Sequence, residues 1–298
     1  MTTSESVTAF LRSWTRPGLG VALLLLPACG SEPEPAPPTG DPAEAAYEEA
    51  TEHARSGQPE RAASVALDVL QHHPEDPDVH FRLGYVLRYG GLLEESMAAY
   101  ARGISLDDTP ERRVSGEGQI AKSLIYAGRY DEALDLQQGL RDHLRGLGQE
   151  PDEKMLFYEG VIHLYRGDAA QATKLFGQAE ERDPESLWTE FGRAYRDALQ
   201  GDTTSLRASL RDLRHRDVAD GERHYRLVHL HALAGEPEEA VARLPTAMEG
   251  GFFAYPYVAT DPLVSDAVRG HPEFAALLED IQERHEAFAA SVEGFDGT

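Results

Sequence analysis

Residues 77–108 read PDVHFRLGYVLRYGGLLEESMAAYARGISLDD and contain the clearest pattern in the chain. Large apolar residues recur at helical spacing on both sides of Gly91, which predicts two helices joined by a glycine turn. Gly91 belongs to a series of six glycines with successive spacings of 34, 37, 39, 34 and 34 residues: Gly57, Gly91, Gly128, Gly167, Gly201 and Gly235. This spacing predicts one helix pair that is repeated six times.

Small and aromatic residues recur at matching positions of the six units. The first helices carry the dipeptides Leu83-Gly84 and Phe191-Gly192, and one second helix carries Ala172 and Phe176. This pattern resembles the tetratricopeptide repeat, a pair of antiparallel helices. The resemblance implies an all-α fold, a right-handed α-α superhelix of about six helix pairs that covers residues 43–249. Because a short helix pair cannot bury its apolar stripe alone, neighbouring pairs must stack to make a continuous core.

The sequence after the sixth unit predicts a C-terminal cap. Gly250 and Gly251 should end the array, and residues 250–298 should form capping helices with a disordered end. Asp261-Pro262 and His271-Pro272 each look like a helix start, and the second is followed by an apolar stripe that can cover the last repeat. Aromatic residues precede these starts: Phe252, Phe253, Tyr255 and Tyr257. They are interpreted as part of the cap, with a partner site as the alternative.

The first 28 residues have the pattern of a secretory signal peptide. Arg12 and Arg16 precede the apolar stretch 18–26, which is too short to span a membrane. The following Leu26-Pro27-Ala28-Cys29 resembles the bacterial lipobox, which implies cleavage before Cys29 and acylation of that residue, for example with palmitate. Cys29 is the only cysteine of the chain, so it cannot form an internal disulfide. The alternative is an ordinary signal peptide with an incidental cysteine.

A lipid at Cys29 would place the protein in a bacterial envelope. Residues 29–42 are rich in proline and acidic residues, which predicts an extended tether between the lipid and the repeats. Gly30 differs from the aspartate that retains lipoproteins in the inner membrane in enterobacterial precedent. We therefore expect the outer membrane, facing the periplasm, if the source is Gram-negative.

The charge of the chain argues against nucleic acid as a partner. The sequence has 28 basic and 52 acidic residues and a net charge of −24, whereas phosphate backbones require lysine and arginine. The acidic residues are interpreted as a solvated surface, with a basic partner as the alternative.

Signals of catalysis, metal binding and cofactor binding are weak, so we expect a protein that is not an enzyme and has no cofactor or metal. Residues 116–121 imitate a dinucleotide-binding loop, but no strand precedes them. His53, His163 and His231 share the repeat position that usually holds a packing tyrosine. They are therefore interpreted as packing residues, although a metal site including His224 and His229 is the alternative.

The resemblance also implies where a partner would bind. In the family, certain positions of the first helices line a concave face, which predicts a groove for an extended peptide or a helix of a protein partner. The corresponding residues here are Tyr47, Phe81, Tyr85, Arg88, Tyr89, Lys122, Tyr126, Lys154, Phe157, Tyr165, Arg193, Arg196, Tyr225 and His229. The alternative is that these rings only pack within the superhelix. The lysine and asparagine clamp of chaperone-binding members is missing.

These observations predict a lipid-anchored protein that acts as a non-catalytic interaction adaptor or assembly scaffold in the envelope. The competing hypothesis is a periplasmic enzyme, or a subunit of one, that acts on the cell wall and has its site in the aromatic tail.

Overall fold

The computed structural model describes residues 42–215 and 220–293, which contain helices and no strands. A boundary between two compact units falls after Thr39, and every described residue belongs to the second unit. The predicted signal peptide, Cys29, the tether up to residue 41 and the last five residues lie outside the described residues. The all-α prediction is confirmed for the part that is described.

In residues 42–215 and 220–293, six helix pairs are followed by three further helices. The pairs are α1 (Pro42–Arg55) with α2 (Pro59–His72), α3 (Pro77–Tyr89) with α4 (Leu93–Leu106), α5 (Pro110–Tyr126) with α6 (Tyr130–Gly146), α7 (Glu153–Tyr165) with α8 (Ala169–Arg182), α9 (Leu187–Leu199) with α10 (Thr203–His215), and α11 (Gly221–Leu233) with α12 (Pro237–Glu249). The last three helices are α13 (Tyr255–Thr260), α14 (Asp266–Arg269) and α15 (Pro272–Ser291). None of the helices in the described ranges has the length and hydropathy required to cross a membrane.

The six repeat glycines form the turns inside the helix pairs, as predicted. All six have φ between 69° and 86°, the left-handed region that glycine enters without a steric penalty. The regular glycine spacing therefore marks the same left-handed turn in each of the six helix pairs.

Small residues allow the two helices of a pair to approach closely. A Cβ on Gly84 would lie 2.7 Å from the ring of Tyr100, and a Cβ on Gly160 would lie 2.6 Å from the ring of Phe176. The aromatic side chain of the second helix therefore occupies the space that each glycine leaves open.

The first helices of successive pairs pack against one another along the array. Contacts join α1 to α3, α3 to α5, α5 to α7, α7 to α9, and α9 to α11. The first helices consequently form a continuous surface, which we call the inner face. This inner face includes the first-helix residues for which the sequence predicts a partner-binding groove.

The C-terminal helix joins the two ends of the array. Helix α15 packs against α2 of the first pair and α12 of the last pair. The ends also approach directly, because a Cβ on Gly57 would overlap the carbonyl oxygen of Glu249. Arg284 of α15 bonds both ends, through the carbonyl oxygens of Gly57 and Met248.

The predicted helix start at Pro272 is confirmed, whereas the start at Asp261-Pro262 is wrong. Helix α13 begins earlier, at Tyr255, and ends at Thr260. Asp261 instead accepts a hydrogen bond from the backbone N–H of Leu263 in a turn. Its side chain is buried against the array, where it lies 2.6 Å from His229 Nε2.

Candidate partner-binding face

The tail segment, residues 252–261, covers part of the inner face. The Phe252 ring lies 5.6 Å from the ring of Tyr89 and 5.2 Å from that of Tyr225. Tyr257 stacks on Tyr126 with the ring centroids 4.2 Å apart. The backbone N–H of Phe253 also donates to the carbonyl oxygen of Tyr89 over 3.0 Å. The chain itself thus supplies the neighbours of these predicted groove tyrosines.

Asp261 fixes the end of the tail segment in a buried polar network. One of its carboxylate oxygens lies 2.6 Å from His229 Nε2, and the Tyr225 hydroxyl donates to the same oxygen over 3.1 Å. The Tyr165 hydroxyl donates over 3.3 Å. The side chains of Asp261 and His229 are 0% and 1% exposed. Because every partner is satisfied within the chain, this network is interpreted as structural.

The pKa values in this network agree with a locked arrangement. Burial, the largest influence, raises the pKa of Asp261, but His229 and the hydrogen bonds to the carboxylate leave it below its usual value. Burial and the charge of Asp261 hold the pKa of the Tyr225 hydroxyl well above its usual value. At neutral pH, Asp261 therefore accepts hydrogen bonds and Tyr225 donates one.

A second part of the inner face carries a buried cluster of charges centred on Glu222. Arg88 Nη2 lies 3.2 Å from Glu222 Oε2, and Arg226 Nη2 and Lys122 Nζ lie 3.0 and 3.9 Å from Oε1. The exposed fractions of Arg88, Lys122, Glu222 and Arg226 are 1%, 6%, 4% and 3%. Three cationic side chains thus surround one carboxylate away from solvent.

The shifts in pKa follow from this imbalance. Burial raises the pKa of Glu222, but Lys122, Arg88 and Arg226 together hold it well below its usual value. For Lys122, burial and the neighbouring Arg88, Lys154 and Arg226 outweigh the attraction of Glu222, and the pKa falls well below that of a free lysine. Lys122 is the least stabilised of the buried charges.

The cluster meets a partly exposed aromatic side chain, Trp188. The Nζ atoms of Lys122 and Lys154 both lie 5.6 Å from its ring centroid, and Arg223 Cζ lies 5.4 Å away. Tyr158 flanks the ring at 5.3 Å between centroids. We call Trp188 with Lys122, Lys154 and Arg223 the Trp188 corner. It combines an aromatic surface with several positive charges.

The structure divides the predicted groove residues into three groups. Tyr89, Tyr126, Tyr165, Tyr225 and His229 contact the tail segment, whereas Arg88, Lys122, Lys154 and Phe157 lie at the charge cluster and the Trp188 corner. Phe81, Tyr85, Arg193 and Arg196 are partly exposed around them. Cys29 and the side chain of Tyr47 lie outside what is described. A role of these residues in binding a partner stays a prediction.

Two of the basic residues in the third group already have a partner. Arg193 Nε and Arg196 Nη1 donate to the two carboxylate oxygens of Glu180 on α8, over 3.0 and 2.6 Å. Both guanidinium groups therefore share one carboxylate of the chain.

Several residues of this face were missing from the sequence-based set, namely Glu222, Arg223, Arg226 and Asp261. Glu222 occupies a first-helix position that the family pattern assigns to the face, so the pattern could have identified it. Arg226 lies one residue after such a position, Tyr225, and no simple rule selects it. Trp188 is also missing from that set.

The other proposed kinds of site are less well supported. Residues 116–121 lie inside α5, which removes the loop that dinucleotide binding would need. Within the described ranges, no group of three or more His, Cys, Asp or Glu side chains is arranged to hold a metal ion. A cleft of about 480 Å³ between α6, α7 and α8 lies outside the inner face, and one of its lining residues, Arg141, is paired with Glu159 at 3.1 Å. Nothing in that cleft resembles a catalytic arrangement.

Comparisons with known proteins agree with the repeat pattern. Residues 47–110 match the family model described as tetratricopeptide repeat. No curated protein matches the chain. Among solved structures, MamA from residue 41 to its end, from Desulfovibrio magneticus RS-1, is 15% identical with a TM-score of 0.43, and the match covers 60% of this chain and 98% of that chain.

Two further solved structures are similar. A tetratricopeptide repeat protein from Parabacteroides merdae ATCC 43184 is 16% identical with a TM-score of 0.43, covering 85% of this chain and 93% of that chain. YrrB, a tetratricopeptide repeat protein with an unusual peptide-binding site, is 15% identical with a TM-score of 0.36, covering 74% and 99%. The family match over residues 47–110 and the six stacked helix pairs agree with the tetratricopeptide repeat pattern of the sequence.

Proposed function

We propose that the protein is a non-catalytic scaffold that binds a protein partner in a bacterial envelope, where a lipid on Cys29 holds it. Tetratricopeptide folds generally bind proteins or peptides. The observation that carries the proposal is the Trp188 corner, a partly exposed aromatic and basic surface on a chain with a net charge of −24. Aromatic and arginine side chains are enriched where protein partners bind.

The position of the partner can be tested by photocrosslinking in cells. Tyr85 is replaced by p-benzoylphenylalanine, because this predicted groove residue is partly exposed; the control carries the same group at Gln138, an exposed residue of α6. We expect one discrete adduct from position 85, identified by mass spectrometry, and none of the same mass from position 138. Equal adducts from both positions, or no adduct from position 85, would contradict the proposal.

The lipid anchor rests on the sequence Leu26-Pro27-Ala28-Cys29 and is tested separately. We expect the wild-type protein to label with palmitate and to fractionate with membranes, because two or more acyl chains give stable anchoring. Cys29→Ala should lose both properties. A Cys29→Ala protein that still labels would refute the anchor. The preferred location, the outer membrane facing the periplasm if the source is Gram-negative, is tested by separating the two membranes of the same cells.

The enzyme hypothesis has no residue constellation to support it within the described ranges. It is tested on the purified chain with cell-wall peptidoglycan. Release of soluble wall fragments would favour the enzyme over the scaffold. The variants Asp261→Asn and Trp188→Ala should then differ in this activity. The variant with the lower activity locates the site, in the tail segment or at the Trp188 corner.

A further inference from the structure

The positive charges near Trp188 exceed their negative partners. Five cationic side chains gather there: Arg88, Lys122, Lys154, Arg223 and Arg226. Three of these cations, those of Arg88, Lys122 and Arg226, share one carboxylate, that of Glu222. The chain has 52 acidic and 28 basic residues, so this local excess runs opposite to its overall composition.

The positions of the lysines show the same local excess of positive charge. The chain contains three lysines, and two of them, Lys122 and Lys154, lie at the Trp188 corner. The third, Lys174, is exposed on α8. Compact ammonium groups are strongly hydrated, so bringing two of them to one aromatic ring requires a compensating interaction.

Hydrogen-bonding capacity is also unused in this region. The buried Nε atoms of Arg88, Arg223 and Arg226 have no hydrogen-bond partner in the part of the chain that the structure describes. Lys122 Nζ lies 3.9 Å from the nearest oxygen of Glu222, beyond the usual hydrogen-bond distance. Buried polar groups are normally satisfied, so each of these atoms requires an explanation such as a bound water or ion.

A purely structural role explains this arrangement poorly. Apolar residues of similar volume would pack the same space without the desolvation penalty of several like charges. Buried charges with displaced pKa values concentrate at functional sites, and the depressed pKa of Lys122 fits that pattern. An anion placed between Lys122, Lys154 and Arg223 would supply the missing negative charge.

The face of Trp188 indicates what kind of molecule would carry the anion. A polypeptide can place an apolar side chain on the ring and carboxylates against the three cations, whereas a small inorganic anion would use only the charges. We infer that the Trp188 corner binds an acidic segment of the protein partner, with carboxylates against Lys122, Lys154 and Arg223. This inference rests on the proposed scaffold function and adds the chemistry of the partner.

Isothermal titration of the full chain with three probes tests the inference. The probes are hexaglutamate with blocked ends, hexaglutamine with blocked ends, and inorganic phosphate. We expect hexaglutamate to bind, with affinity that falls as salt rises, and hexaglutamine not to bind. Equal binding of both peptides, or binding of phosphate without hexaglutamate, would overturn the inference.

Three variants locate the site on the surface. Lys122→Met and Arg223→Met should each weaken hexaglutamate binding about tenfold, since each removes one charge-assisted contact. Lys174→Met, the matched control at the remaining lysine, should leave the affinity unchanged within about twofold. An equal loss in all three variants would mean attraction by general charge and would contradict a defined site. Arg223 is partly exposed, so this variant remains informative if Lys122→Met folds poorly.

Proton uptake provides a readout that a structural role would not change. Lys122 faces Glu222, Arg88, Lys154, Arg226 and the rings of Tyr158 and Trp188. A carboxylate bound beside it would raise its pKa, so binding should take up protons at pH values between its lowered pKa and the usual pKa of lysine. The binding heat should then differ between Tris and HEPES for the wild type and not for Lys122→Met. Identical heats for the wild type would contradict the assigned place of Lys122.

The outcome can be separated from that of the scaffold proposal. A partner that crosslinks at position 85 while hexaglutamate fails to bind would overturn this inference and leave the scaffold in place. If no adduct forms at position 85 and hexaglutamate does not bind, both the scaffold proposal and this inference are wrong.

Discussion

Arg88 and Glu222 form a buried ion pair, with Nη2 and Oε2 3.2 Å apart, although 134 residues separate them in the sequence. The pair joins α3 in the second helix pair to α11 in the sixth, across the inner face. Glu222 also contacts Arg226 and the hydroxyl of Tyr158. A single carboxylate therefore ties three helices of the array together.

Removing this carboxylate should strongly destabilise the fold. In Glu222→Gln, the cations around it stay buried without their counter-charge, and we expect the free energy of unfolding to fall by about 3–5 kcal/mol. The measurement is urea unfolding at pH 7. As the control, Glu239→Gln removes an exposed partner of Arg214 and should cost about 0–1 kcal/mol. Equal losses in the two variants would show that the buried cluster contributes no more than a surface pair.

Lys122→Met should have the opposite effect, because Glu222 keeps Arg88 and Arg226 as partners. We expect stability at pH 7 to be unchanged or to rise by up to about 2 kcal/mol. The pKa of Lys122 is depressed in the folded state, so between that pKa and the usual value of lysine the unfolded chain binds more protons. Wild-type stability should therefore gain from this residue as pH rises through that interval, and Lys122→Met should lack that gain. A variant that is much less stable than the wild type would mean that Lys122 is structural.

Asp261 should contribute to acid sensitivity because its carboxylate fixes the end of the tail segment. Its pKa is lowered in the folded state, so its contribution is present above the unfolded value, near 3.9, and is lost as pH falls through the folded value. Asp261→Asn should lower stability at pH 6 by about 2–4 kcal/mol and should show a weaker loss between pH 4 and 2. Urea midpoints across this pH range measure both effects. Asp131→Asn, at an exposed aspartate, is the control, and it should leave the pH profile unchanged.

Two glycines at the same repeat position should tolerate alanine very differently. Both Gly57 and Gly235 have φ near 70°, so alanine carries a strain of about 1–2 kcal/mol at either site. Nothing lies within 4 Å of a Cβ on Gly235, whereas a Cβ on Gly57 would overlap the Glu249 carbonyl. Gly57→Ala should therefore cost at least about 3 kcal/mol, because the ends of the array must separate. Thermal unfolding of the two variants compares them directly, and similar losses would contradict the close approach of the first and last repeats.

The sequence predicts the local features of this molecule well. Glycine turns and the alternation of small and aromatic residues depend on neighbours within one repeat, so spacing alone reveals them. The helix start at Pro272 follows from proline chemistry in the same way. The start expected at Asp261 was wrong because a long-range partner, His229, determines what that aspartate does.

The candidate site depends on long-range packing and is therefore harder to predict. The family pattern placed Tyr89, Tyr126 and Tyr225 on the inner face, but it carries no information about what covers them. The tail segment that contacts them has aromatic residues without a helical period, so no sequence rule assigned it to that surface. The charge imbalance at Lys122 likewise appears only when α3, α5 and α11 are assembled.

Arg284 should hold the two ends of the array together. Its guanidinium donates to Glu60 Oε1 over 2.8 Å, to the Met248 carbonyl over 2.7 Å and to the Gly57 carbonyl over 3.1 Å. Arg284→Met should lower stability by about 2–3 kcal/mol, since these charge-assisted hydrogen bonds are lost together. Arg284→Lys should not restore it, because an ammonium group cannot reproduce the planar fork that reaches three acceptors. Hydrogen exchange should increase first in α2, α12 and α15, while Arg145→Met, which removes an exposed pair with Asp142, should leave exchange there unchanged. Exchange that increases evenly along all six helix pairs would instead show that Arg284 supports the fold as a whole.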